Sequence, residues 1–192
     1  MTGPCMRPAA KADIPELVRL RALLFQSLDR TWGTVPDGRQ WRDACAAALA
    51  RLVTGNAMRV VVTDSAAGLA SCGMGAIDQR LPSPFNPSGL TGHVFGIVTD
   101  PAHRRRGHAR AVMNALLAWF DQQGIARVDL NASPDGQRLC RSLGFTGHPD
   151  PTLTRRYPAP ARGGSVSLTV GVTCRPRQPG NPPHPHRGKR KA

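Results

Sequence analysis

The chain has 192 residues, of which 26 are Lys or Arg, 12 are Asp or Glu and 40% are hydrophobic. This length favours a single domain of moderate size. No stretch approaches the roughly 18 apolar residues of a membrane-spanning helix, and the first residues lack the apolar run of a signal peptide. We therefore expect a soluble, cytoplasmic protein without a membrane partner.

The net charge of +14 would suggest a nucleic acid or a membrane surface as partner if it were spread over the fold. Residues 1–154 carry a charge of +5, however, whereas residues 155–192 contain nine basic residues and no acidic one. Only Lys11, Lys189 and Lys191 are lysines, which indicates the composition of a GC-rich, bacterial-type genome. Most of the excess charge belongs to a C-terminal tail, whose many Pro and Gly residues predict disorder.

The cysteines indicate neither a disulfide framework nor a zinc site. There are five of them, they are widely spaced, and none forms a Cys-x-x-Cys pair. We expect reduced thiols. His184 and His186 have no carboxylates nearby, so we expect no metal.

The first half of the chain predicts two helices followed by two strands. Apolar residues at helical spacing indicate a helix over 14–28 with Asp13 as its N-cap, and Arg21 is the polar exception in its apolar stripe. A second helix is predicted over 39–52, and strands over 58–63 and 69–78. The small residues of the second strand fit a close approach to another backbone or a ligand, or else a weak edge strand.

The second half predicts a parallel crossover unit. A strand over 92–99, a turn over 100–106, a helix over 107–123, a strand over 126–131 and a helix over 135–143 follow one another. Such a unit binds its ligand beyond the C-terminal ends of its strands. Weaker patterns predict short strands over 152–156 and 165–173.

The turn before the long helix is the most informative segment of the sequence. Asp100 to Arg110 reads Asp-Pro-Ala-His-Arg-Arg-Arg-Gly-His-Ala-Arg. The first amides of a helix have no intrahelical partner, and the helix dipole favours an anion there. Neither an ATP-binding Gly-x-x-x-x-Gly-Lys-Ser/Thr loop nor a Gly-x-Gly-x-x-Gly fingerprint is present. The turn is interpreted as a phosphate site, with a merely solvated basic helix start as the alternative.

These residues resemble the GNAT superfamily of acyl-CoA N-acyltransferases. Arg104-x-x-Gly107-x-Ala109 is similar to the family's Arg/Gln-x-x-Gly-x-Gly/Ala signature, and the segment from Leu139 to Phe145 is similar to its Leu-Tyr-x-x-x-Gly-Phe segment. The resemblance covers about residues 6–156. It implies an α/β (α+β) fold with a mixed sheet of about six to seven strands flanked by about four helices, and it leaves residues 157–192 as a basic tail.

The resemblance also implies acetyl-CoA as cosubstrate and direct transfer of the acetyl group to a primary amine of a small molecule or peptide. Residues 97–99 would pair with the pantetheine arm, the amides of 105–110 would hold the pyrophosphate, and Ser133 or Asn131 would contact the arm. The implied cofactor-binding residues are Ile97, Val98, Thr99, Arg104, Arg105, Arg106, Gly107, His108, Ala109, Arg110, Asn131 and Ser133.

The catalytic residues depart from the family pattern. Cys140 stands where the family usually has the Tyr that protonates the leaving thiolate, and its shorter side chain puts that role in doubt. Among the candidate bases, His93 is of the residue type that changes its charge between pH 5 and 8, although a surface histidine without a catalytic role is the alternative. Asp78 and Asp129 lie beside the same strands, whereas His103 and His108 are expected beside the cofactor.

Two other functions stay open at this point. Because of Cys140, the chain is alternatively a coenzyme A binder that has lost catalysis. A nucleic-acid-binding role for the basic tail is the remaining alternative. The lack of aromatic residues among the basic residues of the tail argues against it, because such proteins stack bases on aromatic side chains. The acceptor does not follow from the sequence; loops over 26–40 and 79–91, with Trp32, Trp41, Arg80 and Phe85, are expected to select it. A homodimer also stays open.

Overall fold

The computed structural model describes residues 4–32, 38–55, 57–148 and 153–155. The chain divides into one unit of residues 1–147 and another of residues 148–192, and every element described below belongs to the first. The predicted boundaries at 6–156 and 157–192 stay predictions.

The described residues form one mixed sheet and four α-helices. In chain order the elements are β1 Met6–Pro8, α1 Ile14–Trp32, α2 Arg39–Leu52, β2 Met58–Ser65, β3 Gly68–Gln79, β4 Leu90–Thr99, α3 His108–Gln122, β5 Val128–Leu130 and α4 Gln137–Ser142. Short 3-10 turns precede α1 and α3. The mixed α/β class is confirmed, with five strands in the described residues instead of about six to seven. No helix among these residues has the length and apolar character needed to cross a bilayer.

The strands lie in the order β1-β2-β3-β4-β5, and only β4 and β5 run parallel. Helix α3 connects these two strands, so the predicted crossover unit is confirmed. The predicted bounds of α2 are also those of the structure. Strand β1 was not predicted, since three residues carry too little periodicity to be recognised. Residues 153–155, inside the predicted strand 152–156, have no regular structure, and 165–173 lies outside the described residues.

The start of α1 differs from the prediction. A 3-10 turn over Lys11–Asp13 leads into the helix, so Asp13 is not its N-cap. Its carboxylate accepts hydrogen bonds from the Ala10 N–H (2.7 Å) and from the Arg7 guanidinium (2.7 and 2.9 Å). Asp13 therefore ties the turn before α1 to β1.

Strand β3 is the middle strand, so the prediction of a weak edge strand is wrong. Its small residues let helix α3 lie close to the sheet: a Cβ on Gly73 would stand 2.6 Å from Val112 Cγ1, and one on Gly75 would stand 2.9 Å from Phe120 Cζ. The close approach at β3 is therefore made by side chains of α3 and by Ile97 of β4, and not by another backbone as predicted.

The sheet carries a hydrophobic core on each face. Leu17 and Leu20 of α1 and Leu49 of α2 pack on one face with Val62, Cys72 and Met74. Val112, Met113, Leu116 and Phe120 of α3 pack on the other face, and Leu139 and Leu143 of α4 join them. We call these the α1 face and the α3 face.

Candidate active site

The candidate site begins where β4 separates from β5. The two strands pair only from Gly92 to Val94 on β4 and from Val128 to Leu130 on β5. Strand β4 continues to Thr99, and within the described part of the chain no strand pairs with this outer edge after Val94. A gap therefore opens in the sheet beside the last five residues of β4.

A β-bulge lies at the start of this opening. Cys72 pairs with Val98 and Met74 pairs with Phe95, so Gly73 alone faces both Gly96 and Ile97. Gly96 has φ +64°, a left-handed conformation that glycine adopts without a Cβ penalty. Bulges bend the strand that contains them, and this one lies just after the last residue of β4 that pairs with β5.

Alternation along β4 decides which backbone groups face the opening. The Asp100 N–H donates to the Ala70 carbonyl of β3 (2.8 Å), and successive residues of a strand direct these groups to opposite edges. The Val98 carbonyl accordingly points to β3, where it accepts from Ser71 Oγ (2.7 Å). Ile97 and Thr99, and not Val98, thus present their backbone groups to the opening.

The turn after β4 directs a row of unused amides outward. Arg105 has φ +63° although it is not a glycine, and Gly107 has φ +85°. The Ala111 N–H is the first in α3 to find a helical acceptor, the Gly107 carbonyl (3.0 Å). Within the described residues, no acceptor is found for the amides of residues 105–110. Together with the dipole of α3 they form the kind of cradle that binds phosphate.

Acidic and basic side chains hold the start of this turn. Asp100 accepts from the Ala102 N–H (3.0 Å) and from Arg19 Nη1 (2.6 Å). Arg19 also pairs with Glu16, which accepts from the Leu69 N–H (3.1 Å). The Arg19 guanidinium, and then the Ala102 amide, hold the pKa of Asp100 below its usual value. Helix α1 is therefore joined to the base of the turn, a link that the sequence did not reveal.

Some arginines of the turn have hydrogen-bond partners within the described residues, and others do not. Arg110 Nη2 donates to Ser142 Oγ of α4 (2.8 Å), and Arg104 Nε lies 3.5 Å from the Thr99 carbonyl. No hydrogen bond or ion pair of Arg105 or Arg106 is found among the described residues, and both side chains are exposed. Positive charge is thus available beside the free amides.

Two histidines lie next to these amides. His108 Nδ1 lies 3.0 Å from Thr63 Oγ1, at hydrogen-bond distance, and the His103 and His108 rings are 5.9 Å apart. Burial first, and then the charges of His103 and Arg106, hold the pKa of His108 below its usual value. His108 is therefore predominantly neutral near pH 7.

The predicted residues after β5 flank the opposite side of the gap. Asn131 follows the last residue of β5 and is exposed. Ser133 is exposed too, and its carbonyl accepts from the N–H groups of Gly136 (2.9 Å) and Gln137 (3.1 Å). Ser133 thereby shapes the turn that leads into α4.

The two candidate catalytic residues lie on opposite faces of the sheet. Cys140 lies on α4, which packs on the α3 face, and burial raises the pKa of its thiol. His93 lies on the paired part of β4, beside Asp129 of β5, and its ring stacks on Phe95 with centroids 5.8 Å apart. Since Phe95 packs on the α1 face and residues two apart share a face, His93 points to the α1 face.

Arg21 of α1 lies beside the bulge, and the sequence did not select it as a candidate site residue. A methyl group built on Gly96 would lie 3.6 Å from Arg21 Nη1 and 3.5 Å from Met74 Sδ. The guanidinium lies over the Phe25 ring, 5.1 Å from its centroid. The sequence does mark Arg21 as unusual, because it interrupts the apolar stripe of α1. It does not show which strand the side chain approaches.

The loops expected to select the acceptor are only partly described. Trp41 packs edge-on against Phe25 with centroids 5.5 Å apart, whereas the Phe85 side chain is 97% exposed. Residues 33–37 lie outside the described chain. The described residues include no group of three or more His, Cys, Asp or Glu side chains arranged to hold a metal ion.

Several solved structures share this fold. A predicted acetyltransferase from Clostridium acetobutylicum, solved with acetyl-CoA, is 18% identical, with a TM-score of 0.69 over 79% of this chain and 95% of its own. A GCN5-related N-acetyltransferase from Ralstonia eutropha is 22% identical, with a TM-score of 0.68 over 80% and 99%. Glucosamine-6-phosphate N-acetyltransferase from Arabidopsis thaliana is 15% identical, with a TM-score of 0.64 over 82% and 100%. These identities show the shared fold alone.

Sequence comparison gives the family. No curated protein matches the chain significantly. The model of the acetyltransferase (GNAT) family matches residues 21–145, which include β4, the turn with its free amides and α4. The chain therefore belongs to the GNAT acetyltransferase family.

Proposed function

We propose that this protein transfers the acetyl group of acetyl-CoA directly to an amine. The observation that carries the proposal is the continuity of the sheet opening beside Ile97 and Thr99 with the free amides of residues 105–110. An extended arm in the opening and a pyrophosphate on the amides are the two parts of coenzyme A that this arrangement fits. The cytoplasmic location expected from the sequence stays a prediction.

Each predicted cofactor residue has a distinct task in this proposal. Ile97 and Thr99 pair with the pantetheine arm, while Val98 holds β4 against β3. The amides of residues 105–110 bind the pyrophosphate, and Arg104, Arg105 and Arg106 add charge-assisted bonds. Asn131 and Ser133 border the arm from the β5 side.

The chemical step needs one base and one acid. The lone pair of a neutral amine attacks the thioester carbonyl carbon, the C–S bond breaks, and the sulfur leaves as a thiolate. The Ile97 N–H, next to the bulge, is the donor proposed to stabilise the developing oxyanion. His93 accepts the proton that the amine loses, directly or through water, because an imidazole nitrogen is the usual side-chain proton acceptor in such steps.

Cys140 is the proposed acid that protonates the leaving thiolate. Its raised pKa keeps the thiol protonated at neutral pH, which a donor requires, but a cysteine is shorter than the tyrosine that it replaces. We therefore expect Cys140→Tyr to raise kcat, because the phenol reaches further toward the sulfur. Cys140→Ala is the matched variant, and an unchanged kcat in both variants would exclude residue 140 as the acid.

Cys140 also motivates a second candidate function, a coenzyme A binder without turnover. The two candidates differ in one observable. Acetyl transfer to any of a broad panel of amines supports the enzyme. Tight acetyl-CoA binding with no turnover by either wild type or Cys140→Tyr supports the binder.

Isothermal titration with acetyl-CoA tests what both candidates share. Gly107 at the start of α3 and Gly124 after its end both have positive φ, and neither has an atom within 4 Å of an added Cβ. An alanine thus strains both positions to a similar degree, by about 1 kcal/mol. Gly107→Ala should weaken acetyl-CoA binding and Gly124→Ala should not. Absence of acetyl-CoA binding to the wild type would refute the proposed function.

A further inference from the structure

We propose that Arg21 binds an anionic group of the acceptor, so that the acceptor is an amine carrying a carboxylate or phosphate close to its amino group. The inference rests on the proposed function, because it places the acceptor at the same opening. It goes beyond that function by naming a substrate class and the residue that selects it.

The position of Arg21 in α1 is one where a core side chain is expected. Leu17 lies one turn earlier and is fully buried, Leu20 is also fully buried, and Leu24 packs on the same core. Arg21 is half-buried in this apolar stripe. A charged group at such a position costs desolvation free energy, which points to a use other than packing.

The groups that the structure describes beside the Arg21 guanidinium are neutral. Phe25 lies beneath it, and Met74 shares its place beside Gly96. Burial raises the pKa of Cys72 to about 12 and also raises the pKa of Cys45, so both thiols are uncharged near neutral pH, and the charge of Arg21 opposes both rises. The described residues give Arg21 no hydrogen bond and no carboxylate partner.

Arg19, two residues earlier on the same helix, is the opposite case. It pairs with Glu16 (3.0 Å) and with Asp100 (2.6 Å). Both charges arise from one helix, but only that of Arg19 is satisfied by acids of the described chain. The described surroundings of Arg21 thus contain no acid to match its charge, and an anion from outside the chain would supply one.

The location of Arg21 limits how far the anion lies from the amine. Its guanidinium approaches Gly96, the bulge residue beside the proposed thioester site. His93, the proposed base, lies three residues earlier on β4, about 10 Å along the strand, and on the same face. An acceptor that contacts both has its amino group and its anion separated by only a few bonds.

A guanidinium binds carboxylate and phosphate by the same paired N–H donors. The structure therefore indicates an anionic oxygen group on the acceptor, and experiment decides whether it is a carboxylate or a phosphate. Four acceptors of similar size separate the sources: β-alanine, β-alaninamide, 2-aminoethyl phosphate and propylamine. The twenty amino acids and their primary amides extend the comparison. The wild type should use the anionic member of each pair at least about tenfold better in kcat/KM, the discrimination expected for a charged hydrogen bond. Preference for 2-aminoethyl phosphate over β-alanine would assign the anion as a phosphate, and the reverse as a carboxylate.

Variants of Arg21 test whether this residue produces the preference. Arg21→Gln should raise KM for anionic acceptors by about ten- to a hundredfold, with little change in kcat, in the KM for acetyl-CoA or in the use of neutral amines. Arg21→Lys should retain part of the preference. Arg51→Gln, on an exposed residue of α2, is the control and should change nothing.

Arg21→Met separates a ligand-binding arginine from a structural one. Methionine fits an apolar stripe, so the thermal midpoint should hold or rise while the preference for anions disappears. A lowered midpoint, equal use of acids and amides by the wild type, or a loss confined to kcat would each overturn the inference.

The proposed function and this inference fail in different ways. If the wild type does not bind acetyl-CoA, the proposed function itself fails. If it binds acetyl-CoA but no acceptor reacts, thermal shifts with N-acetyl-β-alanine and its amide in the presence of coenzyme A replace the kinetics. A greater shift by the acid that is lost in Arg21→Gln supports the inference, and equal shifts overturn it.

Discussion

Two regions of the described chain contain arginines that differ in whether acids pair with them. In the first region, which joins β1 and α1 to the rest of the sheet, Arg7 pairs with Asp13 and Asp64, and Arg19 pairs with Glu16 and Asp100. In the second region, around the opening of the sheet, no acid of the described chain pairs with Arg21, Arg105 or Arg106. We call them the paired and the unpaired regions.

The difference separates arginines that hold the fold from arginines available to a ligand. The acids of the paired region bridge elements far apart in sequence, as the link from Arg19 to Asp100 does. The unpaired region leaves its charges beside backbone amides and a bulge. The net charge of the chain does not make this distinction, since an arginine counts equally in both regions.

The largest effect is expected from breaking the paired region at Asp100. Asp100→Ala removes the partner of Arg19 and the acceptor of the Ala102 N–H, so the free energy of unfolding should fall by about 2–3 kcal/mol. The turn should lose its fixed start, and acetyl-CoA should bind more weakly. Urea unfolding and isothermal titration measure the two effects.

The control for this variant is Asp121→Ala, on an exposed residue of α3. A surface substitution of this kind should change the free energy of unfolding by less than about 0.5 kcal/mol. Equal effects of the two substitutions would mean that the contacts of Asp100 do not anchor the turn.

The sequence predicted those parts of the molecule whose cause is local. The apolar spacing of α2 fixed its bounds, and the string from Asp100 to Arg110 predicted an amide-rich helix start. It did not predict the bulge at Gly96, since one glycine in an apolar strand says nothing about the register with β3. The sequence also marked Arg21 as an exception in an apolar stripe, but it did not show what Arg21 approaches, because Gly96 and Met74 are distant from it in sequence.

A smaller effect is expected from neutralising the acids of the paired region with pH. Arg7 holds the pKa of Asp13 below its usual 3.8, and Arg19 does the same for Glu16, usually 4.5, and for Asp100. A carboxyl whose pKa is lower in the folded state stabilises the fold above its unfolded pKa and loses that contribution as the pH falls through its folded value.

The free energy of unfolding should therefore be lower at pH 3 than at pH 6 by about 1–3 kcal/mol, since each partly exposed pair contributes little. Urea unfolding across this range measures it. Asp100→Ala should show a shallower pH dependence than the wild type. A wild-type stability that is flat from pH 6 to pH 3 would contradict the assignment of these acids to the paired region.

The smallest effect on stability, and a distinct effect on binding, is expected in the unpaired region. Arg105 and Arg106 have no partner among the described residues, so replacing both with Gln removes no contact that holds the fold, and the urea midpoint should stay unchanged.

Acetyl-CoA binding should weaken by up to about tenfold at low ionic strength, and the difference from wild type should shrink in high salt because exposed charges are screened. Isothermal titration at two salt concentrations distinguishes this salt-dependent weakening from the effect of Gly107→Ala. In Gly107→Ala the amides themselves are displaced, so the loss of acetyl-CoA affinity should not depend on salt. A fall in the urea midpoint of the double variant would show that these arginines belong with the paired region after all.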